Sequence, residues 1–371
     1  MYKRQLLEEA VNSYTKTYMA GNQALGRNLD ANAMRNHFYR FPGVDNDKDK
    51  TLSAMLRMAV IAQTQERYEK APVETDEQRA EKAALEGLVK QLFVELKRDF
   101  KPSDLPPYTL VKLGMHLAGT SQPEESIAYF DEILDPSEPD PVRKKARING
   151  MSKYRKNAVF GKAVALGRSK DNAKVDTAIK MMRDELSKEE SSSNPDRKAM
   201  EDAQYNLVKF TSARQDWPAV IAAADKYREN KTYKKNLPEV LYLQGEAYLK
   251  QNELDKALIN FMNITGTYKG LVKWSAPAVL AQMDTLWKRN TMSQGAGKQP
   301  SDRYVAWKAG SQYVQLLDTP ANRKKMTAED SALVNEVKDK TAKFGSDPAV
   351  SQERADIAAY EAAVRAAKGQ K

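Results

Sequence analysis

The stretch LYLQGEAYLKQNELDKALINFMNI, residues 241–264, carries the clearest indication of the fold. Its first half places Leu241 and Gly245 four residues apart, and its second half does the same with Ala257 and Phe261. A spacing of four keeps two side chains on one face of an α-helix. A polar segment separates the two halves, so the stretch predicts two amphipathic helices joined by a short turn.

A second stretch, LVKLGMHLAGTSQPEESIAYFDEI, residues 110–133, repeats this pattern. Gly114 precedes Ser126 by twelve residues and Phe130 by sixteen. The glycine, alanine and phenylalanine of the first stretch are separated by the same two intervals. Because these intervals extend across two helices and a turn, their agreement indicates an internal repeat of one helical hairpin.

This pattern resembles the tetratricopeptide repeat, which has a small residue at its eighth position, a large residue at the eleventh, alanine at the twentieth and an aromatic residue at the twenty-fourth. In this chain those places are held by Gly245, Tyr248, Ala257 and Phe261. Two positions depart from the family pattern, because Gln244 stands where leucine is usual and Ser126 replaces the alanine. The resemblance implies an all-α fold of helix-turn-helix repeats, stacked as a right-handed α-solenoid whose concave groove binds a protein or peptide.

Weaker copies extend the predicted repeat region to residues 105–290. Gly150 lies 36 residues after Gly114, on a helix that begins near Pro141, and its partner helix is predicted at 172–187 after an extended connection. Further copies are predicted around Val208 and around Ala281, the latter on a helix that begins near Ala276 and Pro277.

The flanking regions, 1–100 and 301–371, are predicted to be helical extensions of the repeats. The first contains a heptad-like seam, which either packs on its own chain or pairs with a second copy, so the sequence leaves the oligomeric state open. The seam residues are Leu7, Val11, Tyr14, Tyr18, Gly21 and Leu25. Further helices are predicted at 51–71, 76–99, 302–318, 327–343 and 348–367, and the last three are expected to cap the array.

Composition argues against catalysis and favours binding. The chain has 371 residues, no cysteine and two histidines, His37 and His116, and it carries neither a nucleophile elbow nor a zinc-protease motif. We therefore expect no catalytic, cofactor or metal residues and a non-enzymatic role. No apolar run is long enough to span a membrane. The absence of cysteine favours an extracytoplasmic setting, periplasmic or envelope-associated, over the cytoplasm.

The strongest local charge feature is the segment 141–170, which has ten basic residues and no acidic one, against a net charge of +10 for the whole chain. Four residues at spacings of four, Val142, Ala146, Gly150 and Tyr154, predict a narrow buried stripe on its helix. The candidate partner-binding residues are Arg143, Lys144, Lys145, Arg147, Asn149, Lys153, Arg155 and Lys156. The family resemblance implies that this helix lines the concave groove.

Three interpretations of the basic segment follow. The favoured one is a solvated face compensated by neighbouring acids, for which the sequence offers Glu138 to Asp140, Asp184, Glu185, Glu189 and Glu190. The second is a surface for a protein partner with an acidic patch, which is preferred as the binding role. The third is a surface for an anionic polymer, nucleic acid or an acidic polysaccharide, but the segment has only Tyr154 and Phe160 as aromatic residues for stacking on bases.

Overall fold

The computed structural model describes residues 13, 17, 50–73, 75–295, 297–323 and 326–369. Within these residues the protein has sixteen α-helices, two short 3-10 helices and no strand, so the all-α prediction is confirmed. The chain divides into two compact units, Met1–Met181 and Met182–Lys371. The predicted heptad-like seam lies outside the described residues.

The described helices of the first unit range in length from 8 to 24 residues. They are α1 Lys50–Lys70, α2 Asp76–Asp99, α3 Pro107–Ala118, α4 Ile127–Leu134, α5 Pro141–Gly150, α6 Ser152–Gly167 and α7 Asn172–Glu190, with 3-10 helices at Pro102–Asp104 and Pro123–Ser126. The division between the two units falls within α7.

Helix α2 shows how local sequence sets a helix and its buried face. Thr75 and Gln78 form a capping box, in which each side chain accepts a hydrogen bond from the other residue's backbone N–H. The leucine spacing predicts a buried stripe of Leu85, Leu88, Leu92 and Leu96; three of these are buried, and Leu88 is half-buried against the same core. The stripe packs with α1, α3, α4 and α6 in one continuous core.

Phe130 on α4 is the central contact of the first helical hairpin. Its ring is fully buried and lies against Gly114 on α3, where an added Cβ would be 2.8 Å from the ring. The ring also lies against Gly161 on α6, where a Cβ would overlap it. The predicted equivalence of Gly150 to Gly114 is therefore wrong: Gly150 is exposed with no atom near its missing Cβ, and Gly161 meets the aromatic ring instead.

The helix α6 also replaces the extended connection predicted between residues 150 and 172. It contacts both α3 and α4, whereas α7 was expected to be the next packing partner. Small residues of α6 allow this close approach, because Ala158, Gly161, Ala163 and Ala165 are all buried.

The second unit contains the longer and more regular run of helices. After the C-terminal part of α7 these are α8 Arg197–Ala213, α9 Trp217–Glu229, α10 Leu237–Lys250, α11 Leu254–Thr267, α12 Val272–Arg289, α13 Asp302–Leu317, α14 Pro320–Arg323, α15 Ala328–Gly345 and α16 Pro348–Gly369. The predicted C-terminal helices are confirmed. The predicted start near Ala276 is wrong, because α12 begins at Val272 and Pro277 lies inside it.

Packing from α8 to α12 is repeat-like. Each helix contacts the next along the chain, and the first helices of successive pairs also contact each other, α8 with α10 and α10 with α12. Phe261 on α11 is fully buried against Gly245 on α10, where an added Cβ would be 2.6 Å from the ring. The small-residue and aromatic spacing that recurs in the sequence thus produces the same helix–helix contact in both units.

The two departures from the repeat pattern are satisfied locally. Gln244 is fully buried, and its amide accepts a hydrogen bond from Arg228 at 2.7 Å and donates one to Asp225 at 2.7 Å. The hydroxyl of the fully buried Ser126 donates to the carbonyl of Pro123 at 2.6 Å. Each polar side chain can therefore occupy an apolar position without losing its hydrogen bonds.

Candidate protein-binding surfaces

The basic segment forms α5, the start and body of α6, and the turn after it. Asp140 caps α5 by accepting hydrogen bonds from the backbone N–H groups of Val142 and Arg143, and Pro141 occupies the first helical position. No residue of α5 is buried, and the Val142 side chain is 79% exposed. The predicted buried stripe is therefore wrong, because α5 packs at the margin of the core and not within it.

One side of α5 is compensated by acidic residues of the preceding helix and its following turn. Lys144 pairs with Asp135 at 2.6 Å. Arg147 lies 2.9 Å from the buried carboxylate of Glu132 and donates a hydrogen bond to the Ser103 carbonyl at 3.1 Å. These contacts attach α5 to the first unit through charges, since apolar burial contributes little there.

Four other members of the predicted set are not compensated in this way. The side chains of Arg143, Lys145, Asn149 and Arg155 are exposed and make no hydrogen bond or ion pair with any residue in the described ranges. Two of the acids expected to neutralise the segment have other partners, since Glu185 pairs with Lys188 and Glu190 with Lys226. Lys153 lies over the ring of Tyr154 at 4.8 Å, and Lys156 is half-buried.

The structure also changes the place of the basic helix in the repeat scheme. Helix α6 packs against both helices of the preceding hairpin, whereas α5 makes its main helix contacts with α6 alone. The residue that meets Phe130 lies on α6 as well. Helix α6, and not α5, therefore takes the packing position next to the preceding hairpin, and the expectation that α5 lines a groove stays a prediction.

A second surface was not identified from the sequence. It is formed by one face of α8 and α10, and we call it the first-helix face. Its residues are Asp202, Tyr205 and Lys209 on α8 and Glu239, Tyr242 and Glu246 on α10. All are half-buried except Lys209, which is exposed. The signal that could have revealed it is the shared interval of 37 residues between the corresponding positions.

Direct contacts join the two halves of the first-helix face. The Tyr205 hydroxyl donates to the Glu239 carboxylate at 2.5 Å, and the ammonium group of Lys209 lies 3.5 Å from the same carboxylate. The face continues toward α12 through Tyr242, whose ring centroid lies 6.4 Å from that of Trp274. The result is a continuous surface of tyrosine rings and carboxylates.

Two carboxylates of this face are held in unfavourable surroundings. Burial raises the pKa of Asp202 despite the nearby Lys235 and Lys198, and its carboxylate makes no hydrogen bond or ion pair with any described residue. Burial also raises the pKa of Glu246, against the opposing effects of a hydrogen bond from Tyr242 and the charge of Lys250. Burial destabilises the charged form of such a carboxylate. An ion pair with a cation on a bound partner protein would therefore stabilise it more than it would stabilise a solvated carboxylate.

Comparison with family models, curated proteins and solved structures returned no significant match. None of the helices in the described ranges combines the length and apolar character needed to cross a membrane. Among the same residues, no group of three or more histidine, aspartate or glutamate side chains could hold a metal ion.

Proposed function

We propose that this protein is a non-enzymatic scaffold of tetratricopeptide-like helical repeats, and that a partner polypeptide carrying lysine or arginine lies across the first-helix face. The single observation that supports this most directly is the pair of half-buried carboxylates, Asp202 and Glu246, on corresponding faces of successive first helices. In the proposal the hairpins continue as a right-handed solenoid, and the first-helix face belongs to its concave side.

The chemistry of the face fits an extended peptide better than a small molecule. Tyr205 and Tyr242 offer rings that contribute large contact area with little loss of conformational entropy. Burial, together with neighbouring carboxylates, raises the pKa of both tyrosines, so their hydroxyls remain protonated at neutral pH. A lysine or arginine side chain can pack on such rings and pair with Asp202 or Glu246, neither of which has a described cation within ion-pair distance.

Replacing both acids with their amides, Asp202→Asn with Glu246→Gln, is expected to leave folding intact and to raise the thermal midpoint slightly at pH 7. The amides keep the shape of the side chains and remove charges that burial disfavours. The folded-state pKa values are raised, so the penalty is present at neutral pH and disappears as the pH falls through them. The increase in thermal midpoint over wild type should therefore be smaller in acid. Thermal unfolding followed by circular dichroism at pH 7 and pH 4 would measure this difference.

The same double variant tests binding. Random twelve-residue peptides displayed on phage are selected on the full chain, and those retained by the wild type are compared on the variant by fluorescence anisotropy. We expect the enriched peptides to contain lysine or arginine and to bind the double variant at least about 10-fold more weakly, about 1.4 kcal/mol.

A matched control is Glu229→Gln with Glu329→Gln, which removes two exposed carboxylates outside the first-helix face. This control should leave the affinity within about 2-fold of wild type, because exposed charges outside the contact add little. Peptides without basic residues, or equal losses in both double variants, would refute the proposal.

A further inference from the structure

Helix α5 has a face that nothing in the described structure covers. Because Lys144 and Arg147 turn toward α4, the opposite side of the helix points outward. We call this side the outward α5 face, and its residues are Val142, Arg143, Lys145, Ala146 and Asn149. All five are exposed, and α5 as a whole has no buried side chain.

An isolated helix of this length has little stability of its own. Ten residues are fewer than the roughly 12–15 that a helix needs to be marginally stable in water. In α5 the Asp140 cap and two ion pairs supply the support that apolar packing supplies in the neighbouring helices α4 and α6. The sequence thus maintains a helix whose outward side has no structural role in the described chain.

The pattern on the outward α5 face indicates the chemistry of what it binds. Val142 and Ala146, one turn apart, form an apolar strip along the helix. Lys145 and Asn149 follow one edge of the strip, and Arg143 lies on the other. Arg143 and Lys145 make no ion pair with any described residue, so their charges are available to an incoming group.

An apolar strip between cations suits a protein better than nucleic acid. A polynucleotide or polyglutamate presents charge to Arg143 and Lys145, but it has no row of apolar side chains spaced to cover Val142 and Ala146 together. An amphipathic helix with acidic flanks satisfies both features, because its apolar residues at intervals of three and four can cover Val142 and Ala146. We propose that the outward α5 face is a docking site for an acidic amphipathic helix of a partner protein.

The outward α5 face lies in the first unit, whereas the first-helix face lies in the second, so each proposal can fail without the other.

The probe for the outward α5 face is a fluorescent eighteen-residue helical peptide with leucines along one face and glutamates on both flanks. Polyglutamate of equal charge and a single-stranded DNA 20-mer are measured beside it. All are titrated with the full chain by fluorescence anisotropy at two salt concentrations.

We expect the peptide to bind more tightly than polyglutamate or DNA. Reversing both charges, Arg143→Glu with Lys145→Glu, should weaken peptide binding by at least about 10-fold, because attraction becomes repulsion. Val142→Ser should weaken it by about 3-fold or more through the lost apolar contact. Neither change touches a buried residue, so thermal unfolding should match the wild type.

The control reverses two exposed lysines of the same unit away from this face, Lys101→Glu with Lys180→Glu, and makes an equal change in net charge. If it weakens binding as much as the α5 variant, attraction is due to net charge and the proposal is wrong. Absence of peptide binding, tighter binding of DNA with steep salt dependence, or an unaffected Val142→Ser variant would each also overturn it.

Discussion

Replacing Asp302 with alanine is expected to lower the free energy of unfolding by about 3 kcal/mol. Asp302 opens α13 and is 3% exposed. Its two oxygens accept hydrogen bonds from the Arg289 guanidinium at 2.6 and 2.8 Å and from the Thr291 N–H at 2.7 Å. Alanine at position 302 would leave Arg289 without the Asp302 carboxylate. The Arg289 side chain is 31% exposed, so water can hydrate it in part.

The structure provides an internal control for this substitution. Arg289 also pairs with Asp255, whose side chain is 79% exposed. Asp255→Ala should cost less than about 1 kcal/mol, because water can replace an exposed ion pair. Urea unfolding followed by tryptophan fluorescence would compare the variants, since all four tryptophans lie after residue 182. Equal shifts of the urea midpoint in Asp302→Ala and Asp255→Ala would mean that burial does not make the Asp302 pair the stronger one.

The same pair predicts acid lability. Burial acts to raise the pKa of Asp302, but the hydrogen bonds from Arg289 and Thr291 outweigh it and lower the pKa below the usual aspartate range. Stability contributed by a lowered carboxylate pKa is complete above the unfolded value of about 3.9 and is lost as the pH falls through the folded value. The difference in urea midpoint between wild type and Asp302→Ala should therefore be constant near neutral pH and shrink below about pH 4.

Gly161→Ala is expected to destabilise the first unit by about 1–3 kcal/mol. The added methyl group would overlap the Phe130 ring, which is fully buried. The ring cannot simply retreat, because Gly114 on α3 holds it from the other hairpin helix. Either α6 must move away or the ring must leave its preferred rotamer, and both cost packing energy.

Gly150→Ala is the matched control, because both glycines are helical and the sequence pattern had assigned Gly150 to the repeat. No atom lies near the methyl group that this change would add. Alanine is the better helix former, so we expect unchanged stability or a gain of up to about 1 kcal/mol. Thermal unfolding by circular dichroism would measure the stability of both variants. If Gly150→Ala loses more stability than Gly161→Ala, Phe130 does not limit the space at Gly161.

Local patterns predicted the helices well where both the cap and the buried stripe lie within one segment. Thr75 and Gln78 mark the start of α2, and the leucine spacing predicts its buried face. The prediction failed for α5, where Val142 and Ala146 have helical spacing but no apolar surface among the described residues covers them. An apolar periodicity shows which residues share a face and leaves open whether another element packs there.

The two candidate surfaces also differ in whether their residues lie in one segment of the chain or in separate helices. The basic segment was visible because its charge is contiguous along the chain. The first-helix face was not, because Tyr205 and Glu239 belong to separate helices and meet only after α8 packs against α10. The raised pKa values of Asp202 and Glu246 likewise arise from burial by neighbouring segments, which no single stretch contains.

Sequence spacing alone was enough to predict helical hairpins in which a small residue meets an aromatic ring. The reason is that Gly245 and Phe261 are only sixteen residues apart, so one turn brings them together. The contact of Gly161 with the Phe130 ring became visible only in the folded protein, because Gly161 lies thirty-one residues further along the chain on another helix. The marginal position of α5 likewise depends on tertiary packing, because apolar surface that could bury it would have to come from helices distant in sequence.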